Sequence, residues 1–131
     1  MLESLAVLVC ALLFGGMVLY SFGFAAFIFT TLPSELAGPT IRRAFPHFYL
    51  FVLVTSAIGT LLVWPDSTMN AALLGFIALT TIPNRQLLMP AINRATDSGQ
   101  KSRFKMLHGL SVLLTLVHIG LAATVLVRLA S

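Results

Sequence analysis

Apolar residues run in four long stretches along this chain, and polar residues gather between them. Crossing ~30 Å of hydrocarbon at ~1.5 Å per residue takes roughly 20 apolar residues. Stretches of this length lie at about residues 5–31, 46–64, 69–91 and 104–129. The breaks TLPSELAGPTIRRAFP, WPDST and INRATDSGQKSR each combine Pro or Gly with polar residues. The pattern predicts one domain, residues 1–131, with four membrane-spanning helices.

Composition supports a membrane protein. The 131 residues are 58% hydrophobic and only 9% charged, whereas a soluble domain carries about a quarter charged residues. This small number of charged residues cannot cover a water-facing surface. We therefore expect the lipid bilayer to be the chain's main environment. The first apolar stretch follows an acid, Glu3, and is longer than a signal-peptide core, which predicts an uncleaved span.

The distribution of the +4 net charge predicts how the helices are oriented. With four spans, the first and third breaks share one side of the membrane. Seven of the 8 basic residues lie on that side: Arg42, Arg43, Arg85, Arg94, Lys101, Arg103 and Lys105. Basic residues mark the cytoplasmic side, so we interpret them as topology signals and expect no nucleic-acid partner. The predicted fold is all-α: an integral antiparallel four-helix bundle of a bacterial inner membrane, with both termini on the outer (periplasmic) side.

Small residues recur in three of the predicted spans, at spacings that allow helices to pack closely in lipid. They are Gly16 with Gly23, Ser56 with Thr60, and Ala71, Gly75 and Ala78. They favour a compact bundle.

A polar stripe on the last span is the first candidate site. His108, Ser111, Thr115 and His118 are spaced by 3, 4 and 3 residues, which places them on one helix face. Polar groups within a bilayer need partners, so we expect this face to point into the bundle. The stripe is consistent with hydrogen bonding between helices, with proton or small-solute handling, and with a ligand site.

A b-type haem held by two histidines is one such ligand. His47 opens the second span and His108 lies one turn into the fourth, near the same membrane face. His118 lies ~15 Å further along its helix and has no second histidine at its depth. No cysteine pair or cluster of histidine and carboxylate at ligand spacing supports a transition-metal site, and none is predicted.

The second candidate site is in the third span, TTIPNRQLLMPAINR, residues 80–94. Pro83 removes a backbone donor and predicts a kink. Asn84 and Arg85 follow it, and Arg85 is the cation set furthest into a span. We expect Arg85 either to extend towards the interface or to pair with Glu35, the preferred partner. The segment PSELAGPTIRRAF around Glu35 is expected to lie flat at the interface.

Several motifs together resemble a known family. They are the pair Gly15 and Gly16, the segments LPSELAG, FPHFY and PAINRATDSG, and the pair Leu107 and His108 followed by Ser111. The chain resembles, over nearly its whole length, the bacterial branch of the transmembrane protein 205-like family, a domain of unknown function. The resemblance implies a four-span inner-membrane protein without an established reaction. A eukaryotic member is associated with platinum-drug resistance, which points towards transport or trafficking.

The resemblance separates the two histidines of the stripe. In the family the positions of Thr115 and His118 tend to carry amides. The resemblance implies that His108 matches the family pattern and that His118 differs from it. It therefore gives no basis for a haem or metal role of His118.

The functional prediction is a small non-enzymatic membrane protein that acts by binding. It is expected to be an accessory subunit of a larger membrane complex or a minimal solute-handling bundle, with other membrane subunits or further copies of itself as partners. Two alternatives remain open. One is a redox protein with haem b between His47 and His108, and the other is an oligomeric transporter of a small solute, metal or drug that uses Asn84, Arg85 and the stripe.

Overall fold

The computed structural model describes residues 1–131 and contains four long helices and no strand. The helices are α1, Leu2–Thr31; α2, Ser34–Val63; α3, 68–97; and α4, Lys101–Ala130. By length and composition α1, α2 and α4 can each cross a membrane. The α-helical parts of α3, Thr68–Pro83 and Met89–Asp97, are interrupted by a π-helical segment.

Short connections place each helix beside the next. Leu32 and Pro33 separate α1 from α2 in extended backbone conformations. The hydroxyl of Ser67 caps α3 by accepting a hydrogen bond from the Asn70 amide, 3.1 Å. Gly99 follows α3 at φ +68°, a left-handed conformation that glycine adopts without strain. Each helix packs against its sequence neighbours and α1 also packs against α4, so the four form one closed ring.

The core lies in the half of the bundle that holds both termini. On α1 the buried side chains follow one stripe, at Ala6, Cys10, Leu13 and Met17. They meet fully buried side chains of α3 and α4, including Leu74, Ile77, Ala122 and Val125. Large apolar side chains also cover much of the outer surface of all four helices. This arrangement suits a helical membrane protein, since lipid covers the outward-facing apolar groups.

Helix α2 begins twelve residues before the predicted span 46–64, at Ser34. The expected flat connection is therefore helical and continuous with the span. Pro39 and Pro46 both lie inside this helix. Each proline removes a single backbone donor, and in a bundle neighbouring groups satisfy the carbonyls that are left. Helix α3 likewise continues past residue 91 to Asp97, while α1 and α4 begin three residues before their predicted spans.

Two π-helical segments interrupt the long helices. In Asn84–Leu88 of α3 the Met89 amide donates to the Asn84 carbonyl, five residues back. The segment directly follows Pro83, where the sequence predicts a disturbance, and precedes Pro90, which cannot donate to its own turn. The second segment, Leu19–Phe24 of α1, was not predicted. Such widened turns occur frequently at functional sites.

Candidate functional site

A cavity of about 840 Å³ occupies the half of the bundle opposite the packed core. Its walls are the C-terminal part of α1, the N-terminal part of α2, the end of α3 and the start of α4. Ligand sites in proteins typically measure about 300 to 1,000 Å³. This is therefore a cavity of ligand size, and it lies at the end of the bundle where the basic residues gather.

The cavity exists because α1 changes its packing partner at the π-helical segment. Before it, Leu2–Val18 packs against α2 and α4, and after it, Ala25–Thr31 packs against α2. Phe22 and Phe29 of α1 and Val112 of α4 line the resulting cleft and remain 51%, 60% and 39% exposed. The cavity is thus bordered by apolar side chains that reach the lateral surface of the bundle.

Basic side chains form the rim. Arg42 donates two hydrogen bonds to the carboxylate of Asp97, at 2.9 and 3.3 Å, and this ion pair links α2 to α3. Arg43, next to it, is exposed and forms no ion pair. His108 also lines the cavity, and its ring stacks on Phe104 with centroids 5.3 Å apart. The rim therefore carries more positive than negative charge.

Hydroxyl groups form the inner wall. The Tyr49 hydroxyl lies 3.1 Å from the Ser111 hydroxyl, and both residues are buried. Thr115, half-buried, lines the cavity one turn further along α4. The hydroxyl oxygen of Ser21, in the π-helical segment of α1, is buried and has no hydrogen-bond partner. Ser21 is thus a polar group at the cavity whose hydrogen bonding the protein itself does not satisfy.

The predicted polar stripe divides between the cavity and the bundle interior. His108, Ser111 and Thr115 line the cavity. His118 lies deeper, 3% exposed, and its Nε2 is 2.7 Å from the Thr80 hydroxyl of α3. Ser111, Thr115 and His118 are thus buried or half-buried on the inward side of α4, and His118 is joined to α3 by a hydrogen bond, whereas His108 lines the cavity but is exposed.

The predicted ion pair between Glu35 and Arg85 is not formed. Arg85 donates from Nε to the Pro46 carbonyl, 3.1 Å, and from Nη1 to the side chain of Gln86, 2.8 Å. Glu35 lies eleven residues before Pro46 in the same helix, about 16 Å away along the axis. A backbone carbonyl within reach satisfies Arg85 instead.

Asn84 is placed differently from its neighbour Arg85. It is 2% exposed, and both its amide nitrogen and its amide oxygen lack hydrogen-bond partners. It does not line the cavity. Asn84 and Arg85, which were predicted to form one site, thus have different environments.

The histidines of the haem alternative line different cavities. His108 faces the cavity described above, whereas His47 lines an apolar groove of about 730 Å³ between α1 and α2, beside Gly16 and Gly23. A haem with two axial histidines needs both on the same iron. The structure does not bring His47 and His108 to a common cavity.

Five residues of the cavity were not predicted from the sequence: Arg42, Arg43, Asp97, Tyr49 and Ser21. The arginines counted only as topology signals. The spacing of Arg42 and Tyr49 could have indicated a shared site, because residues seven apart lie on the same face of a helix. The end of α3, by contrast, was predicted to be a loop, so the position of Asp97 on a helix beside Arg42 was not predicted.

The fold and this cavity define the class of the chain: it is an α-helical membrane protein. A family model described as Domain of unknown function (DUF4149) matches residues 8–101, more than half of the chain, which therefore belongs to that family. Comparisons with curated proteins and with solved structures give no match. The matched range covers most of α1 with all of α2 and α3, so the polar stripe of α4 lies outside it.

Proposed function

We propose that this chain is a non-enzymatic binding protein of the bacterial inner membrane, which holds a small amphipathic molecule in the cavity between its four helices. In this proposal the chain is a minimal solute-handling bundle, and the bilayer is its principal partner. The resemblance to the transmembrane protein 205-like family supports this proposal, since that resemblance implies a membrane protein without an established reaction.

The proposal includes four antiparallel spans, with α3 as the third. Contacts between α3 and α4 support an antiparallel arrangement. Asn70 is hydrogen-bonded to Arg128, and Thr80 is hydrogen-bonded to His118, so residue numbers rise along α3 as they fall along α4. Seven of the 8 basic residues lie at the cavity end or within α3. By the charge rule this end is cytoplasmic and both termini are periplasmic.

The observation that carries the proposal is the cavity's combination of size and lining. It measures about 840 Å³ and joins aromatic and aliphatic walls to polar and charged side chains. Small-molecule sites share this composition, because apolar walls supply affinity and a few polar groups fix orientation. An amphipathic ligand satisfies both kinds of surface.

The packed half of the bundle favours binding over conduction. Leu74, Ile77, Ala122 and Val125 are each 0% exposed and fill the space between α3, α4 and α1 beyond His118. This apolar layer closes the interior towards the end that holds the termini. A ligand can therefore enter from the cavity end without reaching the other face.

Filling the cavity tests the proposal. Gly38 lines the cavity, and a Cβ atom added to it meets no other atom within 4 Å. Gly38→Trp should therefore occupy the cavity and reduce the small molecules that co-purify with the protein, measured by mass spectrometry after gentle extraction. Gly109→Trp is the matched control, because Gly109 is equally unobstructed but lies outside the cavity. Equal amounts bound to both variants would contradict the proposal.

A further inference from the structure

We infer that the cavity's ligand is a membrane lipid with an anionic phosphate headgroup, bound with its phosphate at Arg43 and Arg42 and an acyl chain in the cleft between α1 and α4. This inference rests on the proposed function and names the class of molecule that the cavity takes. Its evidence is the charge of the rim, the exposed apolar side chains of the cleft, and an unsatisfied hydroxyl in the same lining.

The rim suits a phosphate. Arg43 is exposed at the cavity and has no acidic partner. Arg42 lies beside it, with its guanidinium already oriented by Asp97 at 2.9 Å. Arginine binds phosphate oxygens through paired, charge-assisted hydrogen bonds, and basic pockets between helices near the cytoplasmic face recognise anionic headgroups. A zwitterionic or cationic headgroup would gain less here, because its own positive group would face the arginines.

The apolar part of the site opens sideways. The cleft forms where α1 leaves α4 after residue 18, and Phe22, Phe29 and Val112 line it while reaching the outer surface. A water-soluble anion would leave these side chains without a partner. An acyl chain would pack against them and could enter directly from the surrounding leaflet, so a lipid accounts for both halves of the lining.

Ser21 adds a polar group to the lining that α1 contributes. It belongs to the part of α1 that lines the cleft, and its buried hydroxyl has no partner within the protein. The ester carbonyls of a phospholipid are hydrogen-bond acceptors placed between phosphate and chains. The Ser21 hydroxyl is a donor suited to one of them, since a buried donor gains most from a partner.

The test compares three probes on the full-length protein in neutral detergent by native mass spectrometry: dioleoyl phosphatidylglycerol, dioleoyl phosphatidylcholine and inorganic phosphate. The two lipids have the same chains, so their difference reports the headgroup. We expect phosphatidylglycerol to be retained about fivefold more than phosphatidylcholine, the effect of about one basic residue at a membrane surface. Inorganic phosphate alone should not be retained.

Variants of the rim should change retention of phosphatidylglycerol in opposite directions. Arg43→Gln should lower it about fivefold. Asp97→Asn should raise it, because it removes a competing anion from Arg42. Arg103→Gln is the matched control: it removes one exposed charge at the same end but outside the cavity lining, and it should leave retention unchanged.

The outcomes separate this inference from the proposed function. Equal retention of both lipids, abolished by Gly38→Trp, would overturn the anionic headgroup and leave the binding cavity. Retention of phosphate without lipid, or equal losses in the Arg43 and Arg103 variants, would also overturn the inference. Retention unaffected by Gly38→Trp would overturn the proposed function itself, since the lipid would then bind elsewhere.

Discussion

Two buried asparagines of α3 show how differently one residue type can be used. The Asn70 side chain, 5% exposed, accepts a hydrogen bond of 2.7 Å from Arg128, whereas the Asn84 side chain, 2% exposed, has no partner for either polar atom. An unpaired buried polar group costs about 1–3 kcal/mol. We therefore expect Asn84 to lower the free energy of unfolding and Asn70 to raise it.

Replacing each asparagine with leucine should accordingly have opposite effects. Asn84→Leu removes the unpaired amide while keeping the same branched arrangement of heavy atoms, and it should raise the free energy of unfolding by about 1 kcal/mol. Asn70→Leu leaves Arg128 without its hydrogen-bond acceptor and should lower the free energy of unfolding by about 1 kcal/mol. Circular dichroism during titration of detergent-solubilised protein with a denaturing detergent measures both. A destabilised Asn84→Leu variant would show that this amide is satisfied in the membrane protein.

His118 was expected to lie within the bundle, and its bond to Thr80 can be measured. Thr80→Val should lower the free energy of unfolding by about 1 kcal/mol, because bonds of this kind in membrane proteins contribute about 0.6 and at most about 1.7 kcal/mol. The loss should shrink in a His118→Leu background, where the bond is already absent. Thr124→Val is the control, since Thr124 is exposed and bonds only a carbonyl of its own helix.

At the scale of an element, the pair Gly15 and Gly16 shows why α1 packs closely against α2. A Cβ atom on Gly16 would lie 2.6 Å from the Phe51 ring, whereas one on Gly15 would meet nothing within 4 Å. Alanine favours a helix over glycine by about 1 kcal/mol, and overpacking costs about 1–3 kcal/mol. Gly15→Ala should therefore stabilise the protein, and Gly16→Ala should be the less stable of the two.

The Phe51 ring provides the decisive comparison for this pair. In a Phe51→Ala background the clash at position 16 is gone, so Gly16→Ala should approach the effect of Gly15→Ala in the same unfolding titration. A Gly16→Ala variant as stable as Gly15→Ala with Phe51 intact would show that the ring moves aside at no cost.

The elements that could be predicted from the sequence are those in which apolar length decides the outcome. Helices α1 and α4 begin within three residues of the predicted positions. The start of α2 was missed because its first turns contain Gly38, Pro39 and several polar residues, which locally resemble a loop. These residues lie in a helix because packing against α1 and the ion pair with Asp97 support it, and such contacts are not local.

At the scale of the whole molecule, the bundle is packed at one end and open at the other. The stripe of α4 follows from helical periodicity alone, since spacings of 3, 4 and 3 share a face whatever the neighbours do. The cavity does not follow from it. It depends on the divergence of α1 from α4 after a π-helical segment, and no periodic pattern in α1 marks that segment. The ion pair of the rim likewise joins residues 42 and 97, which only the tertiary fold brings together.

The proposed orientation determines which leaflet supplies the lipid, and it can be tested with single cysteines. Cys10 is buried, and Cys10→Ala provides a cysteine-free background. Asp66→Cys lies between α2 and α3, and Ser98→Cys lies between α3 and α4, both at exposed positions. If α3 crosses the membrane and basic connections stay cytoplasmic, a membrane-impermeant maleimide should label Asp66→Cys in intact cells, and Ser98→Cys only after the inner membrane is opened. Labelling of both in intact cells would mean that α3 does not span the bilayer, and the reversed pattern would place the arginine rim at the periplasmic leaflet.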